Sequence, residues 1–381
     1  MDKIAILVFR IDSADAGDFQ EELCAYSKNS LLLLFDSRRI IVKYHKEGIR
    51  FKKNTFRFYR GKNKKLNYLF APFLLLLDNF LMIKIFSSIF LKYRPRICWM
   101  ENLYVAVFIV FLKKLNLFKT RLIYLPNDWL VNPSYKRIWS YFGNNFIYPF
   151  LDYVACRFSD EVIYCDQKLA QARYNFWARK LAKKEKSFSQ INFPGLKIKA
   201  NNSDTVKNAI CFLGDMRMDS GLDLAIKSLS YLSNDYNIIL KIIGPIKYNY
   251  DYFEKLTKKY KVEKYVEFVG FVEVEHLTEV LSGCFCGINV LTSINSYSNY
   301  AIPGKQIHYL QFLLPILTTE NAGTLVPLIK EKGLGLVINP KQLDFNEAVI
   351  KIYKEQAKYR ENIINFINCI NRVNIRELIE I

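Results

Sequence analysis

Short apolar runs alternate with longer amphipathic stretches along the first half of the chain. The runs Ile4–Phe9, Ser30–Phe35, Arg96–Met100, Arg121–Pro126 and Asp160–Asp166 have strand length and are bounded by charged or turn residues. Apolar runs of that length separated by helical stretches predict parallel strands joined by crossover helices. A polar interval, Lys197–Asn208, breaks the pattern and reads as a linker. The alternation then restarts with strands at Ala209–Asp215, Asn237–Pro245, Val266–Val272 and Cys286–Thr292. Helices are predicted between them at Leu222–Leu232, Tyr252–Tyr260 and His276–Leu281, and a helical tail from Phe345 to Ile381. The predicted fold is α/β: two doubly wound Rossmann-like domains, residues 1–200 and 201–345, with helices at 346–381 long enough to pack back on the N-terminal domain. Two such domains would turn their strand ends towards one another across a cleft, an arrangement that suits an enzyme joining two substrates.

The length of 381 residues supports two cores rather than one, and a hydrophobic content of 51% argues against disorder. The net charge of +19 changes the picture only when it is located. Residues 1–200 hold 35 Lys and Arg against 16 Asp and Glu, whereas residues 201–381 hold 20 against 20. The whole excess lies in the first half, which implies an acidic partner there: anionic lipid, a phosphate-bearing substrate or nucleic acid. The densest stretch, Lys43–Lys65, has ten basic residues and one acidic residue interleaved with aromatic side chains. That pattern suits single-stranded nucleic acid as well as a membrane surface, and it is also what a solvated basic loop looks like. The apolar stretches Leu69–Arg96 and Tyr104–Arg121 end in basic residues, and Asp78 and Lys84 interrupt the first. They fit a helix lying in the headgroup layer, or an ordinary core helix, better than a membrane span. The start of the chain, with six apolar residues before Arg10, is too short for a signal segment and reads as a first buried strand.

Eight scattered cysteines and three distant histidines give no zinc spacing and read as reduced core thiols of a cytoplasmic protein. No paired-aspartate metal motif stands out either, so no metal and no cofactor is expected. The stretch richest in chemistry is Ala301–Pro340. There a turn of Pro303, Gly304 and Lys305 opens a short apolar helix, followed by a buried run and a glycine-containing loop. A lysine at a helix start beside a strand end can hold a diphosphate by its charge and by free backbone N–H groups.

Four ordered segments carry a family resemblance: FLGDMRMDSGLDLAIKSL (212–229), IILKIIGP (238–245), VEFVGFVEVEHLTEVLSGCFCGINVL (266–291) and IPGKQIHYLQFLLPILTTENAG (302–323). In order and spacing they resemble the GT-B glycosyltransferases, in particular the family 4-like enzymes and bacterial exopolysaccharide glucuronosyltransferases. The resemblance implies that Gly214 lets the backbone approach a donor diphosphate and that Pro303, Gly304 and Lys305 supply the cationic turn. It also implies a ribose contact at position 308, where this chain has His308 in place of the usual carboxylate. Relatives carry Arg and Lys after the glycine where this chain has Asp215 and Ser220, and Arg217 is the nearest cation. An imidazole can make one hydrogen bond to a ribose hydroxyl but cannot chelate two.

In the first half, RLIYLPNDWLVNP (121–133) and CRFSDEVIYCDQKLAQAR (156–173) also resemble segments of these enzymes. Asp128 is then the candidate catalytic carboxylate, able to deprotonate an acceptor hydroxyl or to support an oxocarbenium charge. A turn or helix-capping aspartate is the plainer alternative, and Glu101 is the reserve candidate. Gly17, in the loop after the first strand, would allow close approach of a phosphate or acceptor. The expected activity is transfer of a sugar from a nucleotide-sugar donor to a lipid-linked surface glycan, in polysaccharide, capsule or lipopolysaccharide synthesis, at the cytoplasmic face of the cell membrane. The rival readings are an inactive GT-B relative acting as a binding protein, and a nucleic-acid-binding protein using the basic aromatic stretch.

Overall fold

The protein was analysed as a computed structural model that describes residues 6–11, 29–36, 39–46, 49–57, 94–117, 119–126, 129–131, 138–164, 166–187, 198–199, 207–246, 249–273, 276–292, 300 and 303–369, together with residues 84, 87, 88 and 92. The chain divides into two compact units, with the boundary at Gly195 and Leu196.

The first unit contains strands β1 (Ile6–Ile11), β2 (Asn29–Asp36), β3 (Arg39–Lys46) and β4 (Ile49–Arg57). These are followed by β5 (Ile97–Met100), helix α1 (Leu103–Lys114), β6 (Arg121–Tyr124) and α2 (Ile138–Phe142). A π turn (Gly143–Ile147) leads into α3 (Tyr148–Phe158), β7 (Glu161–Tyr164), α4 (Gln167–Trp177) and β8 (Glu185–Ser187). The sheet order is β4-β3-β2-β1-β5-β6-β7-β8. Strands from β2 through β8 are parallel, as the alternating pattern predicts. The strands β3 and β4 are not: they form an antiparallel meander on β2. Much of the basic stretch Lys43–Lys65 is therefore strand rather than loop, and its remainder, 47–48 and 58–65, lies outside the described residues. Helix α1 buries Leu103, Val105, Ala106, Ile109 and Val110, so this part of the Tyr104–Arg121 stretch is a core helix. Most of Leu69–Arg96 lies outside the described residues. Among the described residues no helix is long and apolar enough to cross a membrane.

The second unit contains β9 (Ala209–Leu213), α5 (Leu222–Tyr236), β10 (Ile239–Ile243), α6 (Tyr250–Tyr260), β11 (Val266–Gly270), α7 (Leu277–Leu281) and β12 (Cys284–Asn289). It continues with α8 (Gly304–Gln311), β13 (Ile316–Thr319), α9 (Val326–Glu331), β14 (Gly335–Ile338), α10 (Gln342–Lys354) and α11 (Gln356–Cys369). Its sheet runs β11-β10-β9-β12-β13-β14, every neighbour parallel. Counted along the unit this is the order 3-2-1-4-5-6 of a dinucleotide-binding fold, whose ligand crevice lies beyond the strand ends where the order reverses, here between β9 and β12.

Helical periodicity explains the core. In α5, Leu222, Ala225, Ile226, Leu229, Leu232 and Ser233 form one buried stripe, and the helix ends at Asn237, whose left-handed backbone (φ 51) lets its N–H reach the Ser233 carbonyl at 3.2 Å. Phe345, Ala348, Val349 and Ile352 of α10 and Tyr359 of α11 join the same core, each large side chain contributing about 1.5–3 kcal/mol. Of the tail expected to return to the first domain, α10 and α11 pack in the second unit, where their apolar side chains join its core. Residues 370–381 lie outside the described residues. Five of the six free cysteines among the described residues are buried, the sixth being the exposed Cys369. Burial pushes the Cys98 thiol up to about 12, so it is a core group rather than a nucleophile.

Candidate functional site

The crevice of the second unit begins at Gly214, directly after β9. Its φ of +117 is a conformation suited to glycine, and its neighbour Gly244 comes so close that a Cβ there would stand 2.0 Å from the Gly214 carbonyl oxygen. The Gly214 N–H donates to the Ile243 carbonyl at 2.9 Å, so the ends of β9 and β10 are joined with little side-chain bulk between them. The loop from Gly214 to Gly221 is built by its own bonds. The Arg217 N–H donates to the Asp215 carbonyl at 2.9 Å, and the Ser220 hydroxyl donates to the Arg217 carbonyl at 2.6 Å. Asn249 braces the same loop by donating to the Met216 carbonyl at 2.8 Å. Ser220 therefore has a turn-holding role, which explains why a cation is not needed there to complete the loop.

Helix α8 begins at Pro303, which makes no side-chain cap, and its first turn contains no acidic residue to offset the positive end of its dipole. Lys305 is half-buried, and its ammonium lies 4.5 Å from the centre of the Phe212 ring, at the end of β9. Burial is the main reason its pKa is held down to about 8; the positive charge of Arg217 lowers it further, while Asp219 opposes both. Arg217 is exposed and gripped by Asp219 through two N–H donors, Nε to Oδ1 at 2.8 Å and a second to Oδ2. The loop after β9 and the start of α8 thus place two cations and one carboxylate at one end of the second sheet. One added anion would relieve the repulsion that lowers the Lys305 pKa.

The rest of α8 locks this geometry. Tyr309 has its ring against Gly287 of β12, where a Cβ would fall 2.3 Å from the ring. The Tyr309 hydroxyl accepts from the Leu213 N–H at 2.9 Å and donates to the Ile288 carbonyl at 3.0 Å. Gln306 is fully buried, donating to the Ala322 carbonyl at 3.2 Å, and Asn289 donates to the same oxygen at 3.0 Å. His308 is half-buried one turn beyond Lys305, with Nδ1 3.3 Å from the Gln311 Oε1. Gly304 is exposed and Pro303 half-buried at the mouth of the helix. The structure thus gathers Gly214, Arg217, Pro303, Gly304, Lys305 and His308 on β9, its loop and α8. Asp219, Tyr309 and Phe212 were missed by sequence reasoning. Asp219 has a sequence signal, an acid two residues from Arg217, but the roles of Tyr309 and Phe212 come from pairing across the sheet.

In the first unit, Glu101 is half-buried directly after β5, beside β1, where that sheet also reverses its order. Asn102 caps α1 by accepting from the Val105 N–H at 2.9 Å. Gly17 and Asp128 lie outside the described residues, but both neighbours of Asp128's loop are fixed. Leu125 donates its N–H to the Met100 carbonyl at 2.8 Å, and Trp129 is buried with its ring 5.1 Å from the Arg173 guanidinium. Arg173 is fully buried and bonded to the equally buried Asp152 at 2.7 and 3.0 Å, with Tyr124 donating to the same carboxylate at 3.1 Å. Burial disfavours the Arg173 charge, and the Asp152 carboxylate outweighs it, so the guanidinium stays protonated. Among the described residues no cluster of His, Cys, Asp or Glu is arranged to hold a metal.

Comparison with known proteins agrees with this geometry. Residues 196–367 match the family model "Glycosyl transferases group 1". A search of the curated proteins found no match. Among solved structures, Anabaena HepE in complex with UDP and glucose is similar with a TM-score of 0.66 at 14% identity, covering 99% of this chain and 98% of that one. Sucrose-phosphate synthase from Thermosynechococcus elongatus is similar at 0.65 and 13%, with the same coverage. The lipopolysaccharide outer core galactosyltransferase WaaB is similar at 0.57 and 11%, again covering 99% and 98%. The fold is the GT-B fold of these enzymes. The second unit is thus similar over residues 196–367 to the glycosyl transferases group 1 family, within a chain that has the GT-B fold.

Proposed function

We propose that the protein transfers a sugar from a nucleotide-sugar donor to a lipid-linked surface glycan, in the synthesis of a polysaccharide, capsule or lipopolysaccharide. The donor diphosphate lies at Gly214 and Lys305, with Arg217 as a second cation and His308 near the ribose. The observation that carries this reading is the Lys305 ammonium, half-buried at an uncapped helix start and lowered to about 8, beside the strand-end glycine. Two cations and a helix dipole replace a divalent ion at the diphosphate, so transfer needs no metal. UDP complexes of the HepE structure favour UDP as the first nucleotide to try. The first unit takes the acceptor, with Asp128 as the carboxylate acting on it, Glu101 in reserve and Gly17 at the acceptor loop. Its excess of basic residues brings the enzyme to the anionic inner face of the cell membrane.

Lys305→Ala tests the donor site. Loss of a charge-assisted contact worth about 1.5–3 kcal/mol weakens UDP binding roughly ten- to hundredfold by titration calorimetry. Unchanged affinity in that variant removes the diphosphate from α8.

A further inference from the structure

Among the described residues, five of the eleven large apolar side chains that are at least half exposed lie on one helical ridge of the first unit. Ile138, Phe142, Phe146, Ile147 and Phe150 are all at least half exposed. Four of them follow a four-residue spacing, which on a regular helix of 3.6 residues per turn drifts steadily round the axis. The wider π turn at Gly143–Ile147 takes that drift back out, so the stripe stays together. Phe142 and Phe146 accordingly stack with their ring centres 5.0 Å apart. The opposite face of α3 is the one in the core, through Pro149, Asp152, Ala155 and Cys156. α1 packs beside α3 and adds Phe111 and Leu115, both more than half exposed.

The free charges beside this ridge are cationic, since the nearby exposed acid, Asp160, is paired with Lys113. Between Leu103 and Phe158 the described helices contain a single acidic residue, Asp152, and it is fully buried. Lys114 lies over the Phe158 ring at 4.6 Å, and Arg157 is exposed on the same last turn of α3. A second copy of the chain is a poor occupant, because a two-fold contact through this face would set these cations against their own images. A dissolved polyanion without bases would satisfy the cations and leave the aromatic rings in water, and a single-stranded nucleic acid would need cations along the ridge, which has none from Ile138 to Phe150. Bare aromatic side chains with cations at one end of their ridge fit a layer that is apolar below and anionic at its surface.

We propose that the α2–α3 ridge is the surface by which the first unit docks on an anionic lipid bilayer. The side chains of Phe142, Phe146 and Phe150 enter the headgroup layer, and Lys114 and Arg157 meet lipid phosphates. This rests on the reading that the enzyme works at a membrane, and it centres the contact on residues 138–158, with Lys114 of the Tyr104–Arg121 stretch at its edge.

The test is co-sedimentation of the full chain with vesicles of equal phosphatidylglycerol and phosphatidylcholine, and of phosphatidylcholine alone. The wild type binds the anionic vesicles. Phe142→Ser with Phe146→Ser and Phe150→Ser raises the lipid concentration for half-binding roughly tenfold or more. Lys114→Glu with Arg157→Glu raises it roughly tenfold at low salt and less at high salt. Both variants keep the wild-type circular dichroism and nucleotide affinity, since the altered side chains are exposed and lie outside the second unit. Wild-type binding that survives the triple serine variant overturns the ridge and leaves the membrane reading standing, with the contact elsewhere. Failure of the wild type to bind anionic vesicles overturns both. A wild-type dimer that the triple variant converts to a monomer in sedimentation velocity assigns the face to a second copy and likewise overturns the proposal.

Discussion

In the second unit the important cations stand at a strand end: Arg217 is gripped by Asp219, and Lys305 feels both of them. In the first unit the buried cation Arg173 is closed off by Asp152, and the exposed Lys114 and Arg157 flank bare aromatic side chains. The half of the chain with balanced charge therefore has the better anion site, and the half with the excess has the better docking face. Net charge reports on surfaces, whereas an anion site depends on how a few cations, N–H groups and glycines are brought to one point.

The sharpest way to break that comparison is to ask whether the two units have separate tasks. Asp128→Asn removes the proposed acceptor-side carboxylate, and kcat falls roughly a hundred- to ten-thousandfold, while UDP affinity, a property of the second unit, stays at the wild-type value. Glu101→Gln costs less than about tenfold if the role belongs to Asp128. The reverse ranking moves the carboxylate to the end of β5. A loss of UDP affinity in Asp128→Asn denies the separation itself.

The buried pair gives the next largest effect. Arg173→Met leaves the Asp152 carboxylate buried without its partner, at a cost of about 3–5 kcal/mol. Adding Asp152→Leu to it recovers most of the loss, because the uncompensated charge is then gone. Hydrogen exchange read segment by segment checks this: protection falls across β6, β7, α3 and α4 in the single variant and holds across β9 to β14. Equal loss in both units would show that they fold as one.

How much of this was legible in the sequence follows the same division. The strands β9 to β12 of the second unit were readable as short apolar runs between helical stretches, and α5 and α6 were long enough to show their period. Gly214 and Lys305 were readable because turn glycines and helix starts are local signals. Tyr309 was not, since its role depends on Gly287 standing beside it on another strand. In the first unit most of the parallel strands were legible, but the antiparallel pair β3 and β4 was hidden under basic residues that read as a binding surface or a solvated loop. The three-residue strand β8 is too short to show alternation. Asp152 and Arg173 sit in the interiors of two different helices, and nothing in either helix announces that they meet. The ridge was missed for a different reason: an exposed and a buried phenylalanine are the same letter, and only packing separates Phe142 and Phe150 from the core.

The smallest effect concerns the pH dependence of donor binding, and it tests whether Arg217 and Lys305 act as one site. Lys305 is depressed in the folded protein, so its ammonium is fully present only well below a pH of about 8. A diphosphate binds the charged form better and raises that pKa, so a proton is taken up on binding. UDP affinity is accordingly flat above the last phosphate ionisation of UDP, at about pH 6, and falls as pH rises through about 8, by at most about tenfold per pH unit for one proton. The stability sign is opposite to that of a group with a raised pKa. Folding disfavours the ammonium, so the free protein gains stability as pH rises from about 8 towards the ordinary lysine value of 10.5. Arg217→Gln removes one of the two causes of the depression, and the inflection in UDP affinity moves to higher pH even as overall affinity drops. Burial, the larger cause, remains, so the inflection stays below the ordinary lysine range. Calorimetry in buffers of different ionisation enthalpy measures the proton uptake directly. An inflection that does not move in Arg217→Gln would mean that Lys305 titrates without reference to the loop after β9, and that the two cations do not share one phosphate.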